Sequence, residues 1–241
     1  MLIFFMSFLI ILFASMVEGM TSFGFSLIAV PLLSLFLPLK EFVPMLILFT
    51  FLMNLVLYIN LKGSFNKNRI IILALSGFIS TLFGILMLKF VDNNLLKMVV
   101  GLVVLVSSIL MVFGVRIKIK YKIPGDIIAG VFSGLLNGSV SLSGPPIIIL
   151  LSNEDAEKEI FRKTLTTYFL ILNLFSLPMF FFNGLLTRGI LLRSAINLPA
   201  LCIGMFLGLF IGNKISDGHF KKITLGMIFI LGIMSVLSAV L

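Results

Sequence analysis

Long runs without a single charge constrain this chain more than any other feature. Residues 70–88, 98–113 and 198–211 are uncharged and almost wholly apolar. Each approaches the roughly 20 residues that an α-helix needs to cross a bilayer core of about 30 Å. Hydrocarbon offers no partner to unpaired backbone groups, so such segments must be helices or strands of a closed barrel. Barrel strands alternate apolar and polar residues, and these runs do not. Charged residues make up only 11% of the 241 positions, under half of the quarter or so that a soluble surface uses. The expected fold is therefore an all-α integral membrane protein, multi-pass in the cell (cytoplasmic) membrane, with the lipid bilayer as its surroundings.

The net charge of +9 does not point to nucleic acid. The basic residues lie in short loops between apolar runs, where Lys and Arg mark the cytoplasmic side, and do not gather on one face. Cys202 is the single cysteine, which excludes a disulfide within the chain. Residues 1–17 have no basic start and no A-x-A site, so a cleaved signal peptide is not expected.

The chain reads as ten apolar segments, at 2–17, 23–38, 42–61, 70–90, 95–113, 123–140, 144–152, 160–186, 190–213 and 220–241. A basic stretch at 116–122 divides them into a first transmembrane repeat, 1–115, and a second, 123–241. The halves resemble each other. Glu18-Gly19 falls on Asn137-Gly138, Ser22 on Ser141 and Asn54 on Asn173, all at a shift of 119. Arg69 falls on Arg193, Ser80 on Gly204 and Gly84 on Gly208 at 124, and Asp92, Lys97 and Gly101 fall on Asp217, Lys222 and Gly226 at 125. A slow drift of this kind is what loop insertions in a duplicated unit produce. Each repeat is then a short broken helix pair followed by three longer helices, 8–10 helical segments in total.

Charge counting orients them. If each short pair starts and finishes on one side, 13 of the 18 Lys and Arg residues share a side, that of the linker. If each pair is instead a single crossing, giving eight spans, the split is 9 against 9. The positive-inside rule favours returning pairs, a cytoplasmic linker, outside termini and a second repeat inverted relative to the first.

The short pairs are the informative places. Between their members lie 18–25, Glu-Gly-Met-Thr-Ser-Phe-Gly-Phe, and 137–146, Asn-Gly-Ser-Val-Ser-Leu-Ser-Gly-Pro-Pro. Glycine, serine and proline interrupt helices here, and Pro145-Pro146 suits the first turn of a new one. Breaks at corresponding positions of two halves point to a transporter's binding site. A helix that starts inside the membrane aims free N–H groups and its positive dipole end into the gap, hydroxyls add donors, and glycine lets an anion approach the backbone. The candidate substrate-binding residues are Gly19, Thr21, Ser22, Phe23, Gly24 and Phe25 in the first break. In the second they are Asn137, Gly138, Ser141, Ser143, Gly144, Pro145 and Pro146. Glycines here equally serve close helix packing.

These motifs carry a resemblance. Gly19-x-x-Ser22-Phe23-Gly24-Phe25, followed by Ala29-Val30-Pro31-Leu32-Leu33, looks like the first signature of the sulfite exporter (TauE/SafE) family of membrane permeases. Gly134-Leu135-Leu136-Asn137-Gly138, followed by Ser143-Gly144-Pro145-Pro146, is similar to the second. The resemblance covers essentially the whole chain. It implies a duplicated permease that moves a small anionic substrate such as sulfite, thiosulfate or a sulfonate. Ser22 stands where such relatives often have Gly, and Glu18 where an uncharged amide is common.

An acid within a membrane segment is costly and is by default a functional hypothesis, so Glu18 is the candidate for a coupling proton. Asn54 and Asn173, in apolar helices at matching positions, either bond across helix interfaces or face the site. Arg69 and Arg193 are expected to snorkel at helix ends. An enzyme is not expected: the one histidine, His219, is in a basic loop, and neither H-E-x-x-H nor G-x-S-x-G occurs. No cofactor or metal is implied. The rival functions are a non-transporting membrane scaffold or assembly factor, and an anion channel.

Overall fold

The computed structural model describes residues 2–112, 122–152, 157–212 and Lys214. Nine α-helices run through them: α1 (Leu2–Thr21), α2 (Phe25–Ser34), α3 (Leu39–Asn60), α4 (Lys67–Phe90), α5 (Asn93–Val112), α6 (Lys122–Val140), α7 (Gly144–Ser152), α8 (Lys158–Phe182) and α9 (Arg188–Gly212). Six of these, α1, α3, α4, α6, α8 and α9, are long and apolar enough to cross a membrane. Helices α2 and α7 have 10 and 9 residues, about 15 and 14 Å at 1.5 Å per residue, half of a bilayer core. Large apolar side chains stand exposed around the outside, Phe5, Phe83, Phe90, Phe206 and Phe210 among them, a surface made for hydrocarbon. The chain is thus a multi-pass helical membrane protein. The tenth segment, 220–241, the linker residues 116–121, and Asp217, Lys222 and Gly226 lie outside the described residues.

Two expectations are corrected. The first segment does not stop short of a crossing at residue 17: α1 continues through Glu18 and Gly19 to Thr21, 20 residues or about 30 Å. Helix α6 likewise runs through Asn137 and Gly138 to Val140, so the interruptions shrink to 22–24 and 141–143. Packing explains this. Gly19 lies where a Cβ would come 2.6 Å from Met205 O in α9, and Gly138 where one would come 2.3 Å from Thr81 O in α4. These glycines hold helices together rather than break them. The second correction concerns the arginines. Arg69 Nε lies 2.9 Å from Asp126 Oδ1 and Arg193 bonds Glu41 at 2.5 Å, so each bridges neighbouring helices.

Two parallel pairings organise the bundle. Along α4 and α6, Gly134 lies against Ser80 and Gly138 against Gly84; along α1 and α9, Ser15 lies against Gly204 and Gly19 against Gly208. Hydrogen bonds sort the helix ends. At one end Lys163 Nζ donates to Tyr58 O (2.6 Å) and Leu61 O (3.0 Å) at the finish of α3, and Lys158 Nζ reaches Gly212 O (3.5 Å) at the finish of α9. At the other, Lys40 Nζ donates to Lys89 O (2.8 Å) and Leu39 N to Asn93 Oδ1 (2.9 Å). Within the core Phe25 of α2, Phe49 of α3 and Phe180 of α8 are fully buried.

Candidate functional site

Helices α1 and α6 end in the same way. Ser22 N donates to Glu18 O (2.6 Å) and Ser141 N to Asn137 O (3.1 Å), and both serines are left-handed, φ 67° and 61°. This is the cap in which glycine is usual, so the serine noted at position 22 costs about 1–2 kcal/mol of backbone strain. After the turn the chain reverses into the short helices. Gly24 is again left-handed, φ 111°, immediately before α2. Pro145 and Pro146 occupy the first turn of α7, where the fixed φ of proline suits helix initiation.

The two turns face one small cavity, whose empty space of about 340 Å³ includes the open solvent at its mouth. The first break contributes Glu18, Phe23, Gly24, Ser26 and Leu27, and the second Ser141, Leu142, Ser143, Gly144 and Pro145. Helix α3 adds Thr50 and Asn54, and α8 adds Phe169 and Asn173. Of the residues singled out from the sequence, Phe23, Gly24, Ser141, Ser143, Gly144, Pro145, Glu18, Asn54 and Asn173 therefore meet at one place. Gly19 and Gly138 lie in the helix-packing seams. Thr21, Ser22, Phe25, Asn137 and Pro146 stand behind the lining. Thr21 Oγ1 bonds Val17 O (2.9 Å) and the backbone of Phe23, closing the turn.

Ser26, Leu27, Thr50, Leu142 and Phe169 were not singled out. A signal for two of them exists: Thr50 is four residues before Asn54 and Phe169 four before Asn173, one helical face in each case. Thr50 and Phe169 are also 119 apart.

A chain of polar groups runs from the second break through α8 to α3. Asn137 Nδ2 donates to Ser176 Oγ (3.0 Å) and Asn173 Oδ1 (3.3 Å), and Asn173 Nδ2 to Thr50 Oγ1 (3.2 Å). Asn54 Nδ2 donates to Thr50 O (2.8 Å), while its Oδ1, fully buried, has no partner among the described residues. Asn54 and Asn173 therefore both bond across or along helices and face the cavity. Across it, the Ser26 and Ser141 hydroxyls are 3.4 Å apart.

The side chains at the two helix starts differ. Glu18, only 3% exposed, turns its Oε2 onto Phe25 N at 2.9 Å. The first free N–H of α2, the place a bound anion would take, is filled by the protein's own carboxylate. Arg162, also buried, donates from Nε to Ser22 Oγ (2.9 Å) and from Nη2 to Gly19 O (3.0 Å), capping the negative end of α1. Among the described residues no cluster of His, Cys, Asp or Glu could hold a metal ion.

The fold and site define a class: a polytopic helical membrane protein with a small cavity, lined by polar side chains, between two interrupted helices. The chain matches the family described as Sulfite exporter TauE/SafE over residues 7–235, and it belongs to that family. It is 23% identical over 165 residues to a Cupriavidus necator protein named Probable sulfite/organosulfonate exporter TauE; the match takes in 67% of this chain and 64% of that relative. The chain thus matches less than two thirds of the relative's length. No solved structure matches it.

Proposed function

We propose that the chain is a secondary permease that carries a small anion of the sulfite, thiosulfate or sulfonate type across the cytoplasmic membrane by alternating access. The observation that carries this reading is the cavity itself: both helix breaks, from distant parts of the sequence, converge on one pocket rich in hydroxyl and amide groups. A scaffold would not require such a pocket. The name of the Cupriavidus necator relative supports the choice of anion.

The two halves, 1–115 and 123–241 joined by the basic cytoplasmic linker 116–122, act on this reading as inverted repeats. The lining supports it, since Phe23 and Leu142, Gly24 and Ser143, Ser26 and Pro145, Thr50 and Phe169, and Asn54 and Asn173 are all 119 apart. The reciprocal seams support it too, α1 on α9 mirroring α6 on α4. Rocking of one half against the other would expose the cavity to each side in turn. Glu18 carries the coupling proton: an ionised carboxylate on the α2 start repels an anion, and its protonation removes that repulsion.

The test is uptake of radiolabelled sulfite, thiosulfate and a sulfonate into proteoliposomes, with and without a pH gradient. Saturable flux that the gradient stimulates in the native protein but not in Glu18→Gln is the expected result. Absence of saturable flux of every anion from folded protein sinks the permease reading in favour of a scaffold, and flux that never saturates points to a channel.

A further inference from the structure

On the permease reading, the lining also says how much charge the substrate carries. We infer that the cavity takes an anion with a single negative charge and rejects a dianion of the same shape.

Among the described residues the lining contains one carboxylate, Glu18, and no lysine, arginine or histidine. The basic side chains of the surrounding helices are held elsewhere. Arg162 lies beyond the turn on Ser22 Oγ and Gly19 O, and Lys163 is on the carbonyls that finish α3. Arg193 is at the far end of the bundle with Glu41. Helix starts, the usual substitute for a cation, supply little here. The α2 start already holds Glu18 Oε2 at 2.9 Å. The α7 start is Gly144-Pro145-Pro146, and two successive prolines remove two of its backbone donors.

What remains is neutral: the hydroxyls of Ser26, Ser141 and Ser143 and the amides of Asn54 and Asn173. With Glu18 ionised the lining is negative, and with a proton on Glu18 it is neutral. In neither state do its described residues offer a positive charge. The cost of taking an ion out of water rises with the square of its charge, and neutral donors recover only part of it. A monoanion with three oxygens can meet these donors while Glu18 is protonated; a dianion meets the same donors at a far higher desolvation cost. Bisulfite and organic sulfonates satisfy the rule. Sulfate does not, and neither does thiosulfate, so the rule narrows the anions of the permease reading to sulfite, as bisulfite, and sulfonates.

Methanesulfonate and sulfate make a matched pair of probes, since a methyl group replaces one oxygen and removes one charge. Both keep a fixed charge at every pH the protein withstands. Each is titrated as an unlabelled competitor against labelled sulfite uptake in proteoliposomes, at constant pH and ionic strength. Methanesulfonate is expected to compete at a concentration about tenfold or more below that of sulfate. Sulfate competing as well or better overturns the inference, as does failure of both to compete while sulfite is carried. Saturable uptake of labelled thiosulfate exceeding that of methanesulfonate overturns it as well. If labelled sulfite shows no saturable uptake, and neither do the other two anions, the permease reading falls and this inference with it. Sulfite uptake with undifferentiated competition removes the charge rule alone.

Discussion

Substituting alanine for Gly84 or Gly208 tests whether the two seams carry the bundle. A Cβ on Gly84 would stand 2.3 Å from Leu135 O and 2.9 Å from Ser139 N; on Gly208 it would stand 2.1 Å from Met16 O. These neighbours are backbone and cannot rotate away. Restoring ordinary contact requires the helices to part by about 1 Å, and overpacking of this kind costs roughly 1–3 kcal/mol. The better helix propensity of alanine returns at most about 1 kcal/mol, leaving a net loss of up to about 2 kcal/mol in each variant even when all of it is realised. A chain of this size loses roughly 2–4 °C of melting temperature per kcal/mol. Gly189→Ala is the control, since a Cβ there meets only Thr187 Oγ1 at 3.9 Å. The chain has no tryptophan, so unfolding in detergent is best followed by helical circular dichroism. Gly84→Ala and Gly208→Ala should each melt several degrees below Gly189→Ala. If either melts with the native protein, the seam it belongs to is looser than its backbone contacts imply and the packing argument fails there.

The two interhelix ion pairs should differ. Removing Asp126, whose carboxylate is nearly buried against the partly exposed Arg69, should cost about 1–3 kcal/mol, whereas Glu41→Ala at the exposed Arg193 pair should cost under about 1 kcal/mol; thermal melts of both variants decide. Ser141→Gly relieves a left-handed residue and should leave the fold as stable or raise stability by about 1 kcal/mol, while Ser141→Val should lower it, again read by melting. Asn173→Ala removes the link between Asn137 and Thr50 and leaves buried groups unpaired, a loss of about 1–3 kcal/mol. On the permease reading its sulfite flux should fall by more than the loss of folded protein explains.

The membrane class was legible because uninterrupted apolar runs leave few alternatives. The breaks were legible to within a few residues because Gly, Ser and Pro cluster there. Their exact extent was not: nothing in Glu18-Gly19 or Asn137-Gly138 says that α9 and α4 press on these glycines closely enough to keep both stretches helical. That is a tertiary fact, and it overrides the local tendency of glycine to end a helix. The same holds for Arg69, whose partner Asp126 lies 57 positions away. Thr50 and Phe169 were within reach, one turn from asparagines already under suspicion. Their signal lies in the shared helical face, not in polarity.

The difference between the two breaks is the more telling result. Their backbones match down to the left-handed serine and the carbonyl that caps it, so a symmetric pair of polar side chains would have been the simplest lining. Instead, the residue that begins each break does opposite work. Asn137 turns away to Asn173 and Ser176, leaving Ser141, Ser143 and Gly144 open to the cavity. Glu18 turns inward onto Phe25 N and fills its half of the site. A symmetric site would present the same donors whichever half rocks, and nothing in it would tie occupancy to a second ion. On the permease reading, placing an acid in one half converts the pair into a receiving side and a governing side, so that an anion held at the second break would depend on the state of a carboxylate at the first. On that reading, this is how a duplicated scaffold acquires coupling with no positively charged residue among the described residues of its lining.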